Sequence, residues 1–215
     1  MKATEKESLS AKAYEIIKKM ILSGELKQGQ AISINAMAEQ LEISRTPVTN
    51  ACQKLEYEQL LTIMPKQGVM INTISIESAC GIYELRAAIE SYHAKRVMDL
   101  LTEDDIRVLK ESIEKQAAAV KAGDANAFMD EDHVFHRYIL SKNMNYELLT
   151  IINQLYDRAY MLGVKNSMSA RMAESLEDHK RILEALEKRD RQAFADTIEE
   201  NILNGFRSLT SRFLS

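Results

Sequence analysis

The sixteen residues Ser33–Val48 (SINAMAEQLEISRTPV) constrain the fold more than any other part of the chain. They read as two short helices joined by a tight turn. Ser33 is suited to cap the first helix, and Ile34, Met37, Ala38 and Leu41 follow at i, i+3, i+4, i+7 on one face. Ser44 is placed to cap the second, with Pro47 in the first turn, where a missing N–H costs nothing. Val48, Ala51, Cys52 and Leu55 turn inward, leaving Arg45, Thr46, Thr49, Asn50 and Gln53 outward. A helix-turn-helix presents such residues to a DNA groove from the start of its second helix. The plain alternative is that Thr49 and Asn50 merely cover exposed helix surface.

Two β-branched runs come next, Leu60–Met64 and Val69–Thr73, on either side of Pro65-Lys-Gln-Gly68. They predict a hairpin, with Gly68 supplying a backbone conformation that other residues resist. A hairpin directly after a helix-turn-helix is a wing. Lys66, Gln67 and Gly68 at its tip are placed to meet phosphate or the minor groove. Upstream, Leu9, Ala13, Ile16, Ile17 and Met20 form the apolar face of a covering helix.

From Ile76 onward only helical periodicity remains. Both prolines and three of the seven glycines lie earlier. Six helices are legible, over Ile76–Leu101, Thr102–Ala122, Asp124–Lys142, Tyr146–Val164, Ser167–Lys188 and Asp190–Arg212, separated by turn and cap residues. Their apolar stripes suit an antiparallel bundle. The expected fold is therefore mainly α: a winged helix-turn-helix over 1–75, then an all-helical domain over 76–215.

Charge divides along the same line. Through Ser75 there are nine Lys/Arg and eight Asp/Glu, about +1, and the remainder holds nineteen against twenty-four, about −5. The second domain is thus a poor nucleic-acid surface and suits sensing or dimerisation. A DNA-binding half this weakly basic must rely on a few placed contacts and on two copies. No apolar run approaches the roughly 18–20 residues needed to span a bilayer, and Met1–Ser10 lacks a signal-peptide core, so a cytoplasmic protein is expected. Cys52 and Cys80 read as free thiols in a reducing compartment, with no CxxC for zinc.

These residues resemble the GntR family of bacterial transcription regulators. The likeness runs through Ile21–Leu26, Met37–Leu41, Ser44-Arg-Thr-Pro-Val48, Leu55-Glu56 and Pro65–Gly68. The acidic remainder resembles the FCD ligand domain of the FadR-type branch, in its six-helix, VanR-like version. Glu84–Glu90, Asp132–His136 and Asp178–Leu183 carry that likeness. Three departures stand out: Thr49 where the family usually has Arg, Gln28 where it often has Pro, and Gln59 where a glycine commonly precedes the wing.

Asp132 and His136 lie at i and i+4 on one helix face, which suits either a surface pair or one metal ion. The resemblance implies a divalent metal, zinc, nickel or manganese, held by Asp132, His136 and His179. Its fourth position falls on Asn201, where the family usually has His, so the site is either kept with Asn201 assisting or abandoned. It also implies that Arg86 faces the interior and pairs with a carboxylate effector; the plain alternative is a surface ion pair with Glu90. A dimeric repressor that binds palindromic double-stranded DNA and answers to a small organic acid is the reading these features favour. A regulator in which metal is the signal or a brace is the alternative. A metal-dependent hydrolase is the distant one, since one Asp and two His can activate water but no general base stands at a recognisable spacing.

Overall fold

The computed structural model describes residues 2–142, 145–162 and 164–211. The chain forms two compact units, one of residues 1–75 with Tyr156–Leu162, the other of residues 76–155 with 163–215. The turn expected at Asn143 and the helix end at Arg212 lie outside the described residues.

In the first unit, α1 (Lys2–Ser23), α2 (Ile34–Gln40) and α3 (Arg45–Tyr57) pack around a three-stranded sheet of β1 (Ala31–Ile32), β2 (Leu61–Met64) and β3 (Gly68–Ile71). The strand order is β1-β3-β2, antiparallel throughout, with Ile63 opposite Val69 and Ile32 opposite Val69 on the other side. The two-residue strand β1 carries no readable periodicity and could not be found in the sequence. The core joins Ile17, Met37, Val48, Cys52, Leu55, Leu60, Leu61 and Ile71, all essentially inaccessible to water. Leu9, expected on the covering face of α1, is exposed.

Ser33 caps α2 by accepting from the Ala36 N–H at 3.0 Å. Ser44 occupies the N-cap position of α3, yet its hydroxyl makes no capping bond. Gly68 is obligatory for two reasons. Its φ of 117° lies where L side chains rarely go, and a Cβ would meet the carbonyl oxygen of Ile32 at 2.3 Å. Gln59 also adopts a left-handed backbone, φ 61°, a conformation that favours glycine.

One buried polar network ties this unit together. Lys18 donates to Tyr14 at 2.8 Å and to Glu58 at 2.9 Å, and lies 2.5 Å from Asp157. Gln28 accepts from the Ile74 N–H at 3.2 Å and donates to the Met161 carbonyl.

The second unit is built from α4 (Ile76–Val97, then a 3-10 turn over Met98–Leu100), α5 (Glu103–Ala122), α6 (Ala125–Leu140), the start of α7 (Tyr146–Met161), α8 (Val164–Glu187) and α9 (Arg191–Ser211). Local chemistry sets the ends. Thr102 and Asp105 form a reciprocal capping box, Gly123 closes α5 in a left-handed conformation, and Asp124 accepts from the N–H groups of Asn126 and Ala127. The packing brings α4 against α9, α8 against α9, and α5 and α8 against α6. That arrangement turns one face each of α4, α5, α6, α8 and α9 toward a common interior.

Candidate functional site

Three helices contribute four residues to a buried polar cluster in the second unit. Asp132 and His136 project from α6, His179 from α8 and Asn201 from α9. His136 Nε2 lies 3.1 Å from Asn201 Oδ1 and 3.3 Å from His179 Nε2, which in turn lies 3.3 Å from Asp132 Oδ1. His136, His179 and Asn201 are buried; Asp132 keeps 13% of its side chain exposed. Edges of this length are those of a tetrahedron with metal–ligand bonds of about 2.0–2.1 Å, whose ligand–ligand edge is about 3.3 Å.

The outer partners fix which atoms face inward. His136 Nδ1 is 2.9 Å from Glu90 Oε2, and His179 Nδ1 is 2.6 Å from Gln116 Oε1. Both partners accept, so each imidazole when neutral carries its proton on Nδ1 and turns an Nε2 lone pair to the centre. The Asn201 amide is oriented likewise, its Nδ2 donating to Ser175 Oγ at 3.4 Å. Phe135 stacks on the His179 ring at 4.6 Å and holds its plane. With both imidazoles neutral, Asp132, His136 and His179 present three ligand atoms within 4.8 Å of one another, and Asn201 Oδ1 stands 3.1 Å from His136 Nε2. The set fits a divalent cation of mixed oxygen–nitrogen preference.

The electrostatics agree. Burial opposes charge on His136, yet Glu90 and Asp132 raise its pKa above the ordinary value. Burial drives His179 down to about 4, so it stays neutral. Burial also opposes ionisation of Glu90, but Arg86 and His136 outweigh it and hold its carboxyl at about 2.

Arg86 is buried and makes the ion pair with Glu90 at 2.9 Å. The i+4 pair expected on the helix surface therefore exists, but inside the unit. A second buried arginine, Arg171 on α8, went unnoticed in the sequence. It donates to Asp178 Oδ2 at 2.7 Å and to the Asn201 carbonyl at 3.4 Å. Glu90 and Gln116 were also missed as partners of the histidines. Their helix positions carry no motif, and only packing reveals what they touch. His93 is buried with Nε2 unpartnered among the described residues, and His133 is half-buried and kept neutral by burial, with a pKa of about 4.

In the first unit, Arg45, Lys66, Gln67 and Gly68 line one cleft of about 200 Å³ with Ser33, Asn35 and the wing. Arg45, Thr46, Lys66 and Gln67 are exposed. The Thr49 hydroxyl donates back to the Arg45 carbonyl at 3.0 Å, and the Asn50 amide donates to Ser10 at 3.4 Å. Both side chains thus have partners within the unit, and Arg45 is the exposed cation of the recognition helix's first turn.

A winged helix-turn-helix joined to an all-helical domain with an inward-facing Asp/His cluster is the architecture of a DNA-binding transcription regulator. Residues 9–71 match the bacterial regulatory proteins of the gntR family, and residues 81–204 match the FCD domain. The chain belongs to the GntR family, in the branch that carries an FCD domain. The HTH-type transcriptional regulator McbR of Escherichia coli is 26% identical over 204 residues, 91% of each chain. The gluconate operon transcriptional repressor of Bacillus subtilis is 24% identical over 196 residues, 88% of this chain and 79% of that protein. Among solved structures, E. coli McbR/YncC superposes with a TM-score of 0.83 at 24% identity, covering 95% of this chain and 98% of that one. A GntR regulator from Rhodococcus sp. RHA1 gives 0.80 at 17% identity, with 95% and 98% covered. No helix among the described residues is long and apolar enough to cross a membrane.

Proposed function

We propose that this regulator is a homodimeric repressor whose helical domain holds one divalent metal through Asp132, His136, His179 and Asn201, and that a small organic acid bound there controls its affinity for a palindromic operator. One observation carries the reading: ligand atoms of Asp132, His136 and His179 lie within 4.8 Å of one another beside Asn201 Oδ1, and acceptors behind both imidazoles favour inward Nε2 lone pairs. The metal would supply a positive centre for a carboxylate oxygen. Arg86 on α4 would position the other oxygen while holding Glu90 behind His136.

Charge balance favours a monoanionic group. The buried ions around the cluster are Arg86 and Arg171 against Glu90, Asp132 and Asp178, a sum of −1 with neutral imidazoles. A divalent ion changes that sum to +1, and one carboxylate returns it to zero. An interior that avoids uncompensated charge should therefore bind metal and a monocarboxylate together.

On the DNA side, Arg45 makes base or phosphate contacts, supported by Ser44, Thr46 and the wing residues Lys66, Gln67 and Gly68. Losing Arg45 to alanine should weaken operator binding roughly tenfold or more, from about 1–3 kcal/mol per well-placed contact. An unchanged gel-shift affinity would remove Arg45 from the interface.

The metal is tested by elemental analysis of the wild type and His136→Ala, with zinc, nickel and manganese offered in turn. A wild type that neither carries nor takes up any of the three sinks the site. The effector is tested by thermal shifts with a set of carboxylates on wild type and Arg86→Lys, followed by gel shifts with each hit. The existing Arg86–Glu90 bond supports a second reading, in which the metal braces the domain and no carboxylate binds. A metal-loaded protein whose stability and DNA affinity ignore every carboxylate establishes that version.

A further inference from the structure

We propose that Gln53, on the third turn of α3, reads one adenine of each operator half-site in the major groove. The inference deepens the DNA recognition proposed above and rests on the placement of Arg45 given there. α3 buries Val48, Ala51, Cys52 and Leu55. It leaves Arg45, Thr46 and Gln53 exposed and Thr49 half-buried. At about 100° per residue, Gln53 falls about 40° from Thr49 and about 20° from Thr46 around the axis. It therefore stands in the middle of the outward face, nearly opposite the buried stripe.

The other amide and charged side chains past the first turn of α3 are engaged inside the unit. Asn50 donates to Ser10 on α1 at 3.4 Å, and Lys54 Nζ sits 3.6 Å from the centre of the Tyr14 ring. Glu56 accepts from the Ile63 N–H of the wing at 2.7 Å. Thr49 has committed its hydroxyl proton to the Arg45 carbonyl and cannot donate it to a base. Of this set, Gln53 is the residue with no partner among the described residues. Its amide holds nothing in the fold together and is free to meet a base edge.

The chemistry of an amide selects the base. One N–H donor beside one oxygen acceptor matches N7 and the N6 amino group of adenine. Guanine offers two acceptors, O6 and N7, and would set its O6 against the amide oxygen. Arg45 carries donors only and suits guanine by the same rule. Eight residues at about 1.5 Å separate the two side chains by about 12 Å along the helix, on the order of three base steps of about 3.4 Å. A unit with nine Lys/Arg against eight Asp/Glu draws little from overall charge, which leaves recognition to such placed contacts.

The test uses the full chain and a pool of randomised double-stranded DNA. Wild type should enrich half-sites with an adenine on the order of three base pairs from a guanine. Gln53→Ala places a better helix former at an exposed site, so helicity and Tm should not fall. It should lose the preference at the adenine position alone and bind the wild-type site roughly 5–150-fold more weakly, the range for one bidentate contact. Gln53→Arg should move the preference at that position to guanine, a change that damage to the fold cannot imitate. Arg45→Ala should flatten the guanine position and spare the adenine. If the Gln53 variants enrich the same sequences as wild type, the proposal is overturned. A loss of affinity with every base preference intact overturns it too, because it puts Gln53 on phosphate. A guanine position that ignores Arg45→Ala, beside an adenine position that follows the Gln53 variants, removes Arg45 from base reading and leaves Gln53 in place. A wild type that enriches no sequence overturns both.

Discussion

Glu90 is the most informative residue to perturb, because it touches the proposed metal only through His136. Its Oε2 lies 2.9 Å from His136 Nδ1 and its Oε1 accepts from Arg86 Nε at 2.9 Å. Glu90→Gln keeps the shape of the side chain and removes its charge. The His136 ring then loses the carboxylate that fixes its tautomer and raises its basicity. Losing such an outer partner typically costs about 10–100-fold in metal affinity, or roughly 1.4–2.7 kcal/mol. At a fixed excess of zinc, metal-linked stabilisation should fall by the same amount. For a chain of this length, each kcal/mol moves Tm by about 2–4 °C, so the zinc-induced rise in Tm should shrink by roughly 3–10 °C. The assay is a chelator-competition titration, paired with melts with and without zinc. Comparing the two melts separates the metal effect from the cost of leaving buried Arg86 without its carboxylate, which lowers both. If zinc affinity stays within about twofold of wild type, His136 is not a ligand held by Glu90 and the inward-facing lone-pair argument fails.

Proton release upon metal binding provides an independent check. Both Nε2 atoms must be unprotonated to bind, but only His136 has a pKa raised above its usual value, whereas His179 is held near 4. Zinc binding at pH 6 should therefore release about one proton, and affinity should rise with pH by about tenfold per unit until His136 has lost its proton. Calorimetry in buffers of different ionisation enthalpy counts that proton, and a count of two would contradict the assigned state of His179. In the absence of metal, the depressed Glu90 pKa contributes stability that is fully present above about pH 4.5 and is lost as pH falls through about 2. The acid melt of Glu90→Gln should accordingly be flatter over that window, and an identical acid limb would refute the pairing. Gly68→Ala should destabilise the first unit by about 2–4 kcal/mol, since the added Cβ collides with backbone at Ile32; a thermal melt matching wild type would show that the wing does not cross there. Gln59→Gly should stabilise by about 0.5–1 kcal/mol, relieving a left-handed residue, and a lower Tm would mean that its side chain contributes more than its backbone costs.

Much of the architecture was legible because it rests on local rules. The cap at Ser33, the inward Val48, Ala51, Cys52 and Leu55, the capping box at Thr102 and the glycine at the wing each follow from backbone chemistry within a few residues. The six helices of the second unit follow from periodicity in the same way. Helix ends were less exact. The first helix of that unit passes into a 3-10 turn at Met98 rather than continuing to Leu101, and Arg189 closes the turn by donating to the carbonyls of Met98 and Leu101, a contact 88 or more residues away in sequence.

The candidate site divides along the same boundary. Asp132 and His136 share a helix face by spacing alone, and resemblance to a family added His179 and Asn201. No spacing could say that Glu90 and Gln116 stand behind the two histidines, that Arg171 lies beside Asn201, or that Thr49 and Asn50 have partners inside their own unit. Sequence by itself determined the elements, the inward faces and the residue types able to hold a cation, because these depend on neighbours three or four positions away. Which lone pairs meet, which charges compensate and which apolar faces are left uncovered depend on helices far apart in the chain, and only their packing decided them.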